Sequence, residues 1–195
     1  MFVLGIDPGL TRCGYCCIEV RGRTTRPVAL GVLRTPASDA VPVRLAALAA
    51  DVRALVAEQR PSVVVIERVL FQVNVRTAMA VGQASGIVMA EAVAGGADVV
   101  EYSPNQVKEA VTGWGAAPKA QVQAMVQTLL GLDRVPEPAD AADAAAVALC
   151  HAAMAPVTDR RAAAEDGPAE AGLVRNRVRL GAAPAPAATP RRAPT

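Results

Sequence analysis

Phe2-Val-Leu-Gly-Ile-Asp7-Pro-Gly9 opens the chain as a short apolar run stopped by an acid and a turn. Runs of this kind, bounded by Pro and Gly, read as strands. A second run, Ser62-Val-Val-Val-Ile-Glu67, repeats the arrangement: continuous Val and Ile entered from Pro61 and closed by an acid. Continuous apolar strands belong to sheets covered on both faces, which places the chain among α/β folds. Between the two lie Gly14 to Val20 and Pro27 to Arg34, joined through a turn at Arg21-Gly-Arg23. The first three strands therefore form an antiparallel meander.

Working outward, Val43 to Gln59 sets Leu45, Leu48, Val52, Leu55 and Val56 at helical spacing. A helix over Val75 to Ala94 and a strand over Asp98 to Tyr102 follow, then a helix with Ser103 as N-cap and Pro104 in its first turn. A small-residue loop, Gly113 to Pro118, leads to a helix over Lys119 to Leu130, and Ala139 to Ala155 forms the last helix, apolar nearly all round. The expected architecture is a mixed five-stranded sheet, three antiparallel strands then parallel ones, flanked by helices.

At 195 residues the chain is one domain with some excess length. The excess falls at the end. Residues 156–195 hold seven arginines against four acids, six prolines and no aromatic residue, too little apolar area to fold, and are expected to be a disordered tail. The remaining domain, 1–155, carries 13 basic and 14 acidic residues, so the total charge of +2 hides a slightly acidic folded part. A histone-like binder is excluded, and any nucleic-acid function must rest on local charge placement. No uncharged stretch reaches the ~18 apolar residues of a membrane span. No basic region precedes the first apolar run, so a cytoplasmic location is expected. Cys13 and Cys16 have C-x2-C spacing without a second such pair, which favours reduced, buried thiols over a zinc site.

Asp7 and Glu67 each follow a buried strand, and right-handed crossovers make those strands parallel neighbours. Adjacent strands lie ~4.8 Å apart, within reach of a shared ion, at the carboxyl strand ends beyond which open α/β sheets bind ligands. Asp140 and Asp143, three apart, share a helix face. A helix cap and first-turn acid would explain that pair as well. If the four carboxylates meet, their repulsion calls for a cation, and oxygen-only donors favour Mg²⁺ or Mn²⁺. Two such ions would turn the folded part from −1 to +3 and suit in-line hydrolysis of a phosphodiester.

Leu4-Gly-Ile-Asp-Pro-Gly9, Val65-Ile-Glu-Arg68, Gly82-Gln-Ala-Ser-Gly86, Gln106-Val-Lys108, Lys119-Ala-Gln-Val122 and Asp140-Ala-Ala-Asp143 together resemble the RuvC Holliday junction resolvases, over residues 1 to about 155 and in the family's order. The resemblance implies an RNase H-like fold and a homodimer that resolves four-way junctions in recombination and repair by paired, symmetric, Mg²⁺-dependent nicks. Water would attack the phosphodiester to leave a 5′-phosphate and 3′-hydroxyl. It also implies two Mg²⁺ per subunit, replaceable by Mn²⁺, held by Asp7, Glu67, Asp140 and Asp143, and cooperation with the RuvA and RuvB branch-migration proteins.

Lys108 and Lys119, the only lysines among 20 basic residues, match lysines that contact DNA phosphates in that family. Asn74 and Arg76 are candidates for backbone or base contacts. The family places an aromatic side chain just after the Glu-x-x segment, where stacking is worth ~1 to 3 kcal/mol per base. Here Leu70 holds that place and Phe71 follows, leaving open which one stacks. His151 reads as a packing residue, and Trp114 either meets DNA or anchors its loop. The rival readings are a YqgF-type or RNA–DNA hybrid nuclease, an inert junction-binding scaffold and an actin-like ATPase, the last lacking room for a second half-domain.

Overall fold

A computed structural model describes residues 1–68 and 75–165 of the chain. Its elements are β1 (Phe2–Asp7), β2 (Arg12–Arg21), β3 (Thr24–Arg34), α1 (Val41–Gln59), β4 (Val63–Glu67), α2 (Val75–Ala94), β5 (Asp98–Tyr102), α3 (Pro104–Thr112), α4 (Lys119–Leu130) and α5 (Ala139–Glu165). The sheet runs β3-β2-β1-β4-β5. β1 is antiparallel to β2 and parallel to β4, and β4 is parallel to β5, giving the expected mixed sheet. The meander strands are longer than read from sequence, because cross-strand pairing carries β2 and β3 past the polar residues that flank their apolar runs.

The side chains of each strand alternate between two cores, as the pleat requires. Val3, Cys16, Ile18, Val63 and Val65 face α3, α4 and α5. Leu4, Ile6, Cys13, Cys17, Val64 and Ile66 face α1 and α2. Cys13 and Cys16 therefore point into opposite cores and cannot share a zinc ion. Burial pushes the Cys13, Cys16 and Cys150 thiols up to about 12 and that of Cys17 to about 11, so none is a thiolate at neutral pH.

α5 lies close to the sheet because two strand positions lack a side chain there. A Cβ on Gly5 would meet the Ala144 carbonyl, with Ala148 N at 2.7 Å, and one on Gly14 would meet the Asp140 carbonyl. The facing residues of α5 are small and buried, Ala141, Ala144, Ala145 and Ala148 among them. α5 also corrects an expected boundary: it passes Ala155 and Pro156 and ends at Glu165. Arg161-Ala-Ala-Ala164 continues the helix with residues of high helix propensity. No helix among the described residues is long and apolar enough to cross a membrane.

Candidate active site

The carboxyl ends of β1 and β4 deliver the first two acids. Register pairs Ile6 with Ile66, so Asp7 and Glu67 emerge side by side. The close approach of α5 brings Asp140 and Asp143 over the same edge, since Gly14, against which Asp140 sits, is the cross-strand partner of Asp7. Three elements thus converge on one patch.

The electrostatics record the convergence. Burial, then the charges of Asp143, Glu67 and Asp140, push the Asp7 carboxyl up to about 7, against a smaller opposing effect of Lys119. Glu67 is also raised, by burial and by Asp143, while Lys108 and Lys119 oppose the shift. Two cations already hold the α5 acids: Lys119 Nζ lies 2.6 Å from Asp143 Oδ2, and Arg12 Nε 3.2 Å from Asp140 Oδ2. Asp143 raises the Lys119 amine through that hydrogen bond. With these pairs made, the described residues include no set of three acids, histidines or cysteines gathered in coordinating position. The donors are nevertheless all hard oxygens, and the burial and mutual repulsion that lift Asp7 are what a divalent cation would offset.

A cleft of about 250 Å³ runs beside the acids, lined by Glu67, Lys108, Lys119 and Asp143 together with Pro104, Val107, Val122 and Ala146. Lys108 is placed there by α3, which starts at a complete capping box: Ser103 Oγ accepts from Gln106 N, and Gln106 Oε1 accepts from Ser103 N at 2.9 Å. Lys119 opens α4. Between them Trp114 is 57% exposed, so it does not anchor its loop by burial. The turn is held instead by Thr112 Oγ1, which donates to the Lys108 carbonyl at 2.8 Å and bonds the Trp114 backbone.

Leu70, Phe71 and Asn74 lie outside the described residues, and of Arg76 the backbone alone is described, in the first turn of α2. His151 is on α5 away from the acids, its Nδ1 3.1 Å from Tyr102 Oη, consistent with a packing role. Sequence reasoning passed over Arg12, whose contact with Asp140 depends on the seating of α5.

The pattern of the family described as Crossover junction endodeoxyribonuclease RuvC matches residues 3–151. The chain belongs to the RuvC family. A relative of that description from Rhodococcus opacus (strain B4) is 50% identical over 171 residues, covering 87% of this chain and 90% of its own. The solved structure of Thermus thermophilus RuvC superposes with a TM-score of 0.76 at 36% identity, over 81% of this chain and 97% of that one. The structure of T. thermophilus RuvC in complex with Holliday junction substrate gives 0.74 at 34% identity, over 80% and 96%. RuvC membership fixes the fold as RNase H-like and the class as a metal-dependent endonuclease, a Holliday junction resolvase of DNA recombination and repair. It does not favour the hybrid nuclease or the scaffold.

Proposed function

We propose that Asp7, Glu67, Asp140 and Asp143 hold two Mg²⁺ ions, replaceable by Mn²⁺, and that a homodimer of this chain binds junction DNA and nicks two strands symmetrically. The observation that carries this reading is the lifted Asp7 carboxyl, surrounded by three acids from β4 and α5. When bound, the ions supply Lewis-acid polarisation of the scissile phosphate and a reactive water at neutral pH. Cleavage leaves a 5′-phosphate and a 3′-hydroxyl.

The chain's own residues do the rest. Asp7 and Glu67, fixed at strand ends, hold the cation positions rigidly, as precise sites require. Lys108 and Lys119 set two positive charges where an incoming phosphate would otherwise meet carboxylates alone. Leu70, Phe71, Asn74 and Arg76 are the proposed contacts to bases and backbone after Glu67. The nuclease domain occupies 1–155, with 156–195 its Ala/Pro/Arg-rich tail, the start of which continues α5 to Glu165. We place the protein in the cytoplasm, working with RuvA and RuvB.

Two-fold pairing of subunits supports paired nicking, because a dimer offers two sites to a substrate of near two-fold symmetry. Asp7→Asn, assayed on a synthetic four-way junction with nick positions mapped, should abolish Mg²⁺-dependent cleavage while junction binding persists. Normal cleavage by that variant would sink the assignment.

A further inference from the structure

Cations also gather on the other flank of the carboxylates. β2 begins at Arg12 and β3 ends at Arg34, and the two are direct cross-strand partners. Like charges directly opposite on adjacent strands repel. Both residues are exposed. Arg12 has Asp140 as its partner, whereas Arg34 makes no ion pair with any described residue. Opposed residues share a sheet face, so Arg34 lies on the face where Arg12 meets α5.

The pair is held in place from behind. Arg44 Nε donates to Thr35 Oγ1 at 3.0 Å and Arg44 Nη2 to Thr11 Oγ1 at 2.6 Å. Thr35 Oγ1 in turn donates to the Leu10 carbonyl, and Thr35 N to the Thr11 carbonyl at 3.3 Å. These bonds tie the chain entering β2 to the chain leaving β3, so the two arginines are presented together.

Sheet order then puts charges in a line. Across the strand ends come Arg34 on β3, Arg12 on β2, Asp7 on β1 and Glu67 on β4, and Lys108 and Lys119 line the cleft beside Glu67. Asp7 pairs with Gly14, which leaves Arg12 two residues past the end of β1. Two strand spacings of ~4.8 Å and two residues of rise separate Arg34 from Asp7, about 12 Å between their Cα atoms. The acids are flanked by cations on both sides.

We infer that Arg12 and Arg34 form a phosphate-binding rim for the DNA strand that enters the carboxylates, opposite the two lysines. The inference rests on the resolvase reading above. The occupant is a phosphodiester backbone: it is anionic, it relieves the Arg12–Arg34 repulsion, and the rim is continuous with the nuclease centre. Contacts of this kind position DNA without reading its sequence.

The test is binding of a labelled four-way junction by the full chain in EDTA, titrated with salt. Each phosphate contact contributes about 0.9 to the slope of log K against log salt. The dimer presents two copies of the rim, so Arg34→Gln should lower the slope by about 1.8 and weaken binding several-fold at moderate salt, while Arg34→Lys keeps the slope. Arg12→Gln combined with Arg34→Gln should lower it by about twice as much. Arg34 is exposed and pairs with no described residue, so its Gln variant should melt no lower than the parent. An unchanged slope in Arg34→Gln, with parent binding intact, overturns the rim. Failure of the parent itself to bind a junction would instead overturn the resolvase reading.

Discussion

Asp7 pays for its position in the absence of a cation, and the consequence is a pH dependence of unusual sign. Its carboxyl is about 7 when folded against 3.8 for a free aspartate. Below 3.8 both states are protonated and there is no effect. Between 3.8 and 7 the unfolded chain ionises while the folded one keeps its proton, so stability falls as pH rises. Above 7 the penalty is complete and on the order of a few kcal/mol. Asp7→Asn removes it. In EDTA that variant should melt higher than the parent at pH 8, with the gap closing at pH 4, and Mg²⁺ should close it at pH 8 by stabilising the parent. Equal melting at pH 8 in EDTA would contradict the burial and repulsion assigned to Asp7. Asp7 and Glu67 were legible in sequence because an acid ending a Val/Ile run has a fixed place in a parallel sheet. Arg12 and Arg34 were not, since their meeting depends on register across two strands and neither sits in a motif.

At the scale of elements, the site depends on how low α5 can sit. Helical spacing of apolar residues located α1 and α4, the Ser103–Pro104 signal located the start of α3, and short apolar runs closed by turns or acids located β1 to β4. The seat of α5 was not readable, because Gly5 and Gly14 look like ordinary strand glycines until a helix backbone lies over them. Gly14→Ala would drive a methyl into the Asp140 carbonyl, lifting the first turn of α5. Overpacking of this kind costs about 1–3 kcal/mol. Urea unfolding should show that loss, and calorimetric titration of Mg²⁺ should show weaker binding, because Asp140 moves with the helix. A variant destabilised by that amount but binding Mg²⁺ like the parent would show that α5 does not set the position of its acids. The far end of α5 was also missed: the helix was read to Ala155, whereas it continues through Pro156 to Glu165.

For the whole molecule, the family resemblance implied a homodimer, and α2 carries an exposed stripe that suits one. Met79 is 60% exposed and Val93 42%. Gly82 and Gly86 lie between them, and a Cβ at either position would meet nothing within 4 Å. The spacing 79, 82, 86, 93 follows one helical stripe, and glycines in such a stripe let a second helix approach closely. A larger side chain at Gly86 is therefore tolerated by the monomer and excluded only by a partner packed on α2. Gly86→Leu should leave the far-UV spectrum intact and convert the sedimentation profile from dimer to monomer. On a four-way junction the same variant should nick strands singly, since two cuts would then require two independent binding events. A parent that sediments as a monomer at assay concentration, or a Gly86→Leu protein that stays dimeric and cuts in pairs, would move the two-fold interface away from α2.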